Sequence, residues 1–188
     1  MCGFSGFIGE TEGDGETRKA VLKKMMNKIA HRGPDSEGMF VDDKAALGFR
    51  RLSIIDLDNG SQPMFNETGD VAIVFNGEIY NHLDIRKELI EKGHVFANNA
   101  DTEAIIHGYE EYGVDILYKL RGMFAFVIYD MKRDLLFAAR DYFGIKPFYY
   151  SIQDKNLIFS SEIKGILEFP NVKRQLNEEA LEQYLSFQ

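Results

Sequence analysis

The residues able to do chemistry are few, and one of them is set apart by its position. The chain has a single cysteine, Cys2, directly after Met1. Loss of Met1 would put a thiol and a free α-amine on one residue, with unperturbed pKa values of about 8.5 and about 7.7–8.0. That match makes thiol-to-amine proton transfer cost only about 1 kcal/mol, so one residue could carry nucleophile and general base together. The plainer reading is a small residue that begins a strand. A nucleophile of this kind needs donors for a developing oxyanion and groups that hold a substrate. Asn76-Gly77, inside Val71-Ala-Ile-Val-Phe-Asn-Gly-Glu-Ile-Tyr80, offers a side-chain amide and a backbone N–H. The same dipeptide between apolar runs is equally a hairpin-turn signal. Arg51 follows an apolar run, where its guanidinium could grip a carboxylate through two parallel bonds or end a strand at the surface. Arg50 must face the other way in a regular strand, so only one of the two can reach a pocket. Glu78 and Asp101 could hold an ammonium group, or be a solvated strand-end acid and a helix N-cap.

Other chemistries find less support. The four histidines, His31, His82, His94 and His107, include no pair at zinc-ligand spacing with a third ligand nearby, so their spacing points to no metal site. A Cys–His dyad is conceivable, but an α-amine on Cys2 makes it unnecessary. Gly-x-x-x-x-Gly-Lys and Gly-x-Gly-x-x-Gly are both missing. One cysteine excludes an intramolecular disulfide framework. With 22 basic and 30 acidic residues the net charge is −8, which argues against a nucleic-acid or anionic-membrane surface. The longest apolar run, 123–129, is too short to span a bilayer, and the start lacks a signal-peptide pattern. A soluble cytoplasmic domain is the expectation. At 188 residues, 45% apolar, the chain suits one domain with one substantial core.

The elements that must position these groups follow from periodicity. Helices are expected over 16–31, 81–93, 101–113 and from Asn177 onward, with glycine or Gly-Pro stops after the first three. Strands are expected over 2–8, 38–41, 46–51, 71–75, 123–129, 135–139, 148–151 and 157–160. Residues 123–129 are apolar on both faces, so that strand must be covered on both sides. Helices in two groups separated by strands suggest an α+β domain layered as helix, sheet, sheet, helix.

The stretches Met1-Cys-Gly-Phe-Ser-Gly-Phe, His31-Arg-Gly-Pro-Asp, Arg51-Leu-Ser-Ile-Ile-Asp, Phe75-Asn-Gly-Glu-Ile-Tyr-Asn, Asp101-Thr-Glu, Gly122-Met-Phe-Ala-Phe, Arg140-Asp-Tyr-Phe-Gly-Ile-Lys-Pro and Ser161-Glu-Ile-Lys together carry a resemblance. In that order the chain resembles the N-terminal glutaminase domain of glutamine-hydrolysing asparagine synthetases. These are class II glutamine amidotransferases of the N-terminal-nucleophile hydrolase superfamily. The resemblance spans nearly all of residues 1–188 and implies a four-layer αββα sandwich of two antiparallel sheets. It implies that Cys2, freed of Met1, attacks the side-chain amide of glutamine and forms a thioester, releasing ammonia. Asn76 and Gly77 would form the oxyanion hole, and Arg51 would meet the α-carboxylate. Glu78 and Asp101 would hold the α-ammonium, with backbone atoms of Ile54 and Ile55 lining the site. Residues 31–35 read as mainly structural, and Arg140 with Asp141 as a buried structural pair. The synthetase motif Ser-Gly-Gly-x-Asp-Ser is missing, and the sequence stops inside an expected helix. The expectation is therefore an excised domain. It needs no cofactor of its own: ATP and magnesium are implied only for the missing C-terminal synthetase domain, which would be its partner. A homodimer is also compatible with the resemblance. Two alternatives stay open: a non-catalytic glutamine-binding relative, and an amidotransferase serving a carboxylate acceptor other than aspartate.

Overall fold

The structure is a computed structural model that describes residues 2–9, 14–52 and 61–187. Met1, Ile54 and Ile55 lie outside the described residues. The elements run β1 (Gly3–Ile8), α1 (Gly15–Lys28), β2 (Ser36–Val41), β3 (Ala45–Arg51), β4 (Met64–Phe65), β5 (Val71–Ile79), α2 (His82–Glu91) and α3 (Asp101–Tyr112). Then follow β6 (Gly122–Asp130), β7 (Leu135–Arg140), β8 (Tyr149–Gln153), β9 (Asn156–Ser160), α4 (Ile163–Ile166) and α5 (Glu178–Ser186). Short 3-10 segments cover Ala30–Arg32 and Gly113–Tyr118.

The strands form two sheets, ordered β2-β3-β1-β9-β8 and β4-β5-β6-β7, with every pairing antiparallel. Three apolar clusters make the layers. Phe7, Met25, Met26 and Ile158 pack α1 against the outside of the first sheet. Phe4, Leu47, Phe49, Val74 and Val127 fill the space between the sheets. Ile73, Phe75, Ile105, Tyr109 and Phe126 pack α3 against the outside of the second sheet. This is the αββα sandwich of the expected class. Strands β5 and β6 are apolar on both faces because each lies between a sheet and a helical layer.

The structure departs from the sequence expectations in a few places. Helix α1 ends at Lys28, and the 3-10 turn takes over the stretch through Arg32. Asn177 caps α5 as expected, accepting from Ala180 N–H at 3.0 Å. Asp101 does not cap α3: Ala100 holds that position, and Asp101 is the first helical residue. Asn76-Gly77 is no hairpin turn. Both residues lie inside β5, paired with Ala125 and Phe124 of β6. Arg140 and Asp141 are not a buried pair. Asp141 is buried and accepts from the N–H groups of Phe124, Ile145 and Lys146, while the exposed Arg140 donates to the carbonyls of Gly144 and Lys146. Each braces the same turn, so their role is structural as expected but exercised separately.

Candidate active site

Cys2 directly precedes β1 and rests, half-buried, against the core between the sheets. Its Sγ faces the backbone of Leu52 just beyond β3: Leu52 N–H points at the sulfur (3.4 Å), and Leu52 O lies 3.7 Å away. Gly3 pairs with Arg50, so Cys2 and Arg51 share the next position along the two strands. Phe4 and Phe49 face the inter-sheet core, and alternation puts Cys2 and Arg51 on that same side. Arg50 takes the other side, as the sequence requires. It pairs with Glu37 at 2.6 Å and donates to Asn27 and Met26 on α1.

Asn76 enters from the opposing sheet. Ala72 and Val74 face the inter-sheet core, and Asn76 follows them in alternation. The stacking of the sheets is fixed at their far end, where the Phe40 and Tyr129 rings are 6.3 Å apart and Lys44 meets Asp134 at 2.6 Å. From that end, β5 carries Asn76 toward the Cys2–Arg51 end of the sandwich. Asn76 is 3% exposed, and its buried Nδ2 has no hydrogen-bond acceptor among the described residues. A buried donor left unmade costs about 1–3 kcal/mol.

The backbone beside Asn76 is arranged by register. Phe124 directs its N–H and C=O to Asp141, away from β5. Gly77, its partner, therefore points its own N–H outward, toward the sheet edge that β4 covers only at Ala72 and Ile73. The amides two residues either side point the same way and are taken: Phe75 N–H by Gln62 Oε1 at 2.6 Å, Ile79 N–H by Asp101 Oδ2 at 2.9 Å. No described group accepts from Gly77 N–H. Glycine is required there, because a Cβ would strike the Met123 carbonyl and lie 2.8 Å from Phe124 Cα.

Asp101 therefore ties the start of α3 to the end of β5. Burial raises its pKa above the ordinary value, against the Ile79 hydrogen bond, and the like charge of Glu78 raises it further. Glu78 itself is exposed. Two carboxylates in mutual repulsion at one strand end are a place where a cation is stabilised.

Three contributors escaped the sequence reading. Gln62, 8% exposed, braces β5 next to Asn76, and its Nε2 also approaches Thr102 Oγ1 on α3 (3.5 Å). Arg32 Nε donates to the Cys2 carbonyl at 3.0 Å, and its stem packs where a Cβ on Gly3 would sit. Glu162 gathers Arg32 (3.2 Å), His31 (2.8 Å) and Lys164 (2.9 Å). Burial alone would raise the Glu162 pKa, but these three hydrogen-bond partners pull it down to about 2. Arg32 and Glu162 belong to stretches that carry the family resemblance, which was their one signal; nothing about Gln62 in the sequence marks it.

Cys2 and Arg51 at the end of one sheet, and Asn76, Gly77, Glu78 and Asp101 at the corresponding end of the other, bring the sequence-predicted candidates to one end of the sandwich. The chain belongs to the glutamine amidotransferase domain family, whose model matches residues 1–188. The chain is 44% identical, over its whole length, to "Asparagine synthetase [glutamine-hydrolyzing] 1" of Bacillus subtilis, covering 30% of that protein. It is 40% identical over 88% of its length to a probable glutamine-hydrolysing asparagine synthetase of Dictyostelium discoideum, again covering 30% of it. It therefore spans about a third of the length of these relatives. Among solved structures, the glutamine phosphoribosylpyrophosphate amidotransferase of B. subtilis superposes with a TM-score of 0.74 at 21% identity, over 89% of this chain and 43% of that one. That likeness bears on the fold. No helix among the described residues is long and apolar enough to cross a membrane.

Proposed function

We propose that the domain hydrolyses the side-chain amide of glutamine with Cys2 as nucleophile. The observation that carries this reading is the pair of adjacent unclaimed donors, Asn76 Nδ2 and Gly77 N–H, at the Cys2 end of the sandwich. Once Met1 is removed, the Cys2 thiol passes its proton to its own α-amine and the thiolate attacks the amide carbon. The carbonyl oxygen becomes an oxyanion that Asn76 and Gly77 stabilise. Collapse breaks the C–N bond, the ammonium returns a proton to the leaving nitrogen, and ammonia departs from a thioester. Water, deprotonated by the same amine, then releases glutamate. Arg51 suits the α-carboxylate because it shares the inter-sheet side with Cys2, and Glu78 with Asp101 suits the α-ammonium. Ile54 and Ile55 are proposed to line the site through their backbone. The ammonia would serve ATP-dependent asparagine synthesis from aspartate in a synthetase domain beyond this chain, with ATP and magnesium bound there.

The test is glutamate release from glutamine, without nucleotide, by protein whose N-terminus is verified by mass spectrometry. Activity should track the fraction of chains that begin at Cys2 and vanish in Cys2→Ala. Full turnover by chains retaining Met1 would remove the α-amine as base, and full turnover by Cys2→Ala would remove the thiol.

A further inference from the structure

His94, His107 and Glu67 are far apart in sequence, yet the fold brings one donor atom of each within 4.8 Å of the others. They come from three places: the turn between β4 and β5, the connection between α2 and α3, and the middle of α3. His94 and His107 belong to the outer helical layer and Glu67 to the strand turn beside it, and none takes part in the glutaminase chemistry proposed above. The two imidazole rings are 5.3 Å apart between centroids. His107 is 2% exposed, and carboxylates surround it on both ring nitrogens. Nδ1 lies 3.0 Å from Glu110 Oε2 and 3.6 Å from Glu67 Oε1; Nε2 lies 3.7 Å from Glu103 Oε1.

We propose that Glu67, His94 and His107 bind a divalent cation of the zinc class, with water completing the coordination. Two imidazoles and a carboxylate are a donor set that zinc accepts, and donors about 2.0–2.1 Å from the metal lie about 3.4 Å apart in a tetrahedron. Closing from 4.8 Å requires shifts of about an ångström. The mobile partner is at hand, since the Glu67 side chain is 49% exposed and hangs from a turn. The surrounding groups fit the proposal. Glu103, which faces the far nitrogen of His107, is held by the N–H groups of Ala97 (2.6 Å) and Asn98 (2.9 Å). His94 Nε2 lies 3.4 Å from Glu111. Carboxylates behind metal-bound imidazoles orient the rings and raise their basicity. The half-exposed Glu67 side chain and the partly exposed His94 leave the cluster open to solvent on that side. Binding exchanges the proton shared by His107 and Glu110 for the cation. The cation would clasp the β4–β5 turn and the α2–α3 connection to α3.

Cys2 is itself a zinc ligand once its thiol is free, so the test uses the Cys2→Ala chain. Equilibrium dialysis with zinc, read by metal analysis, should find one ion per chain. Cobalt in its place should give the visible bands of a nitrogen and oxygen site. In the Cys2→Ala background, His94→Ala and Glu67→Ala should each weaken zinc binding by about tenfold or more. Neither should change the metal-free thermal midpoint much, and zinc should raise that midpoint in the parent more than in either variant. Binding weaker than about 1 mM in the parent would overturn the proposal. So would unchanged affinity in the His94→Ala, Glu67→Ala double variant, which would place the ion elsewhere.

Discussion

At the scale of single residues, the candidate site separates groups the fold uses from groups that have no partner among the described residues. The Nδ2 of Asn76 is of the second kind, so its removal should cost the fold little. Asn76→Ala is expected to lower glutamine turnover by about 10²–10³ with at most a small change in thermal midpoint. Turnover at the parental rate would remove Asn76 from the chemistry. Asp101 is the opposite case, used by the fold through Ile79 N–H and, in the proposed function, by the substrate's ammonium group. Its raised pKa means that acid protonates it earlier than an ordinary aspartate, so glutamine binding should weaken at a correspondingly higher pH. Glu78→Gln removes one of the causes of that rise. In a Cys2→Ala background, which binds without turnover, calorimetry should show the acid weakening displaced to lower pH by Glu78→Gln. An identical pH profile in both proteins would separate Asp101 from ligand binding. The sequence singled out Cys2, Arg51 and Asn76 as candidates by residue type and position, and the fold brings them to one end of the sandwich. What hid the rest was partnership. Gln62 and Arg32 act through Phe75 N–H and the Cys2 carbonyl, and a backbone group met across the fold leaves no mark on a linear chain.

At the scale of elements, local signals lose where tertiary pairing outweighs them. Asn76-Gly77 carries turn chemistry, yet β5 runs through it to Ile79 because Ala125 and Phe124 supply the opposing strand. The first helix shows a similar handover. Its apolar periodicity continues past Lys28, but the chain tightens into a 3-10 turn, and Gly33 brings the backbone against Arg50 so closely that a Cβ would collide. That turn aims Arg32 at Cys2 and Glu162 together. Glu162 thus holds the turn, β1 and the start of α4 in one network. With its folded pKa pulled down to about 2, its stabilisation is complete above the unfolded pKa and is lost as pH falls through the folded one. Glu162→Gln should therefore destabilise the domain by about 2 kcal/mol near pH 7, discounting for partial exposure. The difference between parent and variant should close as pH falls from about 4.5 toward about 2. Denaturant titrations at several pH values measure this, and a gap that persists undiminished at the acid end would show that packing, not charge, is responsible.

At the scale of the whole molecule, the four layers were legible because strands apolar on both faces demand cover on both sides, and the helices fall in two groups along the chain. The order of strands was not legible, since β1 sits between β3 and β9 through contacts that span most of the sequence. The histidine cluster was hidden for the same reason: Glu67 and His94 are 27 positions apart, and His94 and His107 are 13 apart. The last helix lies at the other extreme of integration. No residue of α5 is buried, and Leu181, Tyr184 and Leu185, at the spacing of one helical face, are 37%, 61% and 69% exposed. A helix of nine residues with no buried face is marginal in water, since isolated helices need about 12–15 residues to persist. Its Asn177 cap and its two first-turn glutamates help to start it but do not anchor it to the sandwich. Deleting residues 175–188 should therefore change stability by no more than about 0.5 kcal/mol, as surface changes do. For a domain of this size that is about 2 °C or less in thermal midpoint. Glutamine turnover should persist, because Cys2, Asn76 and Arg51 all lie at the mouth of the two-sheet core. Hydrogen exchange on the uncut chain should find the amides of 182–187 near their unprotected rates and those of β5 among the slowest. A fall of more than about 5 °C on deletion, or protection in α5 equal to that of β5, would mean that this helix is part of the fold.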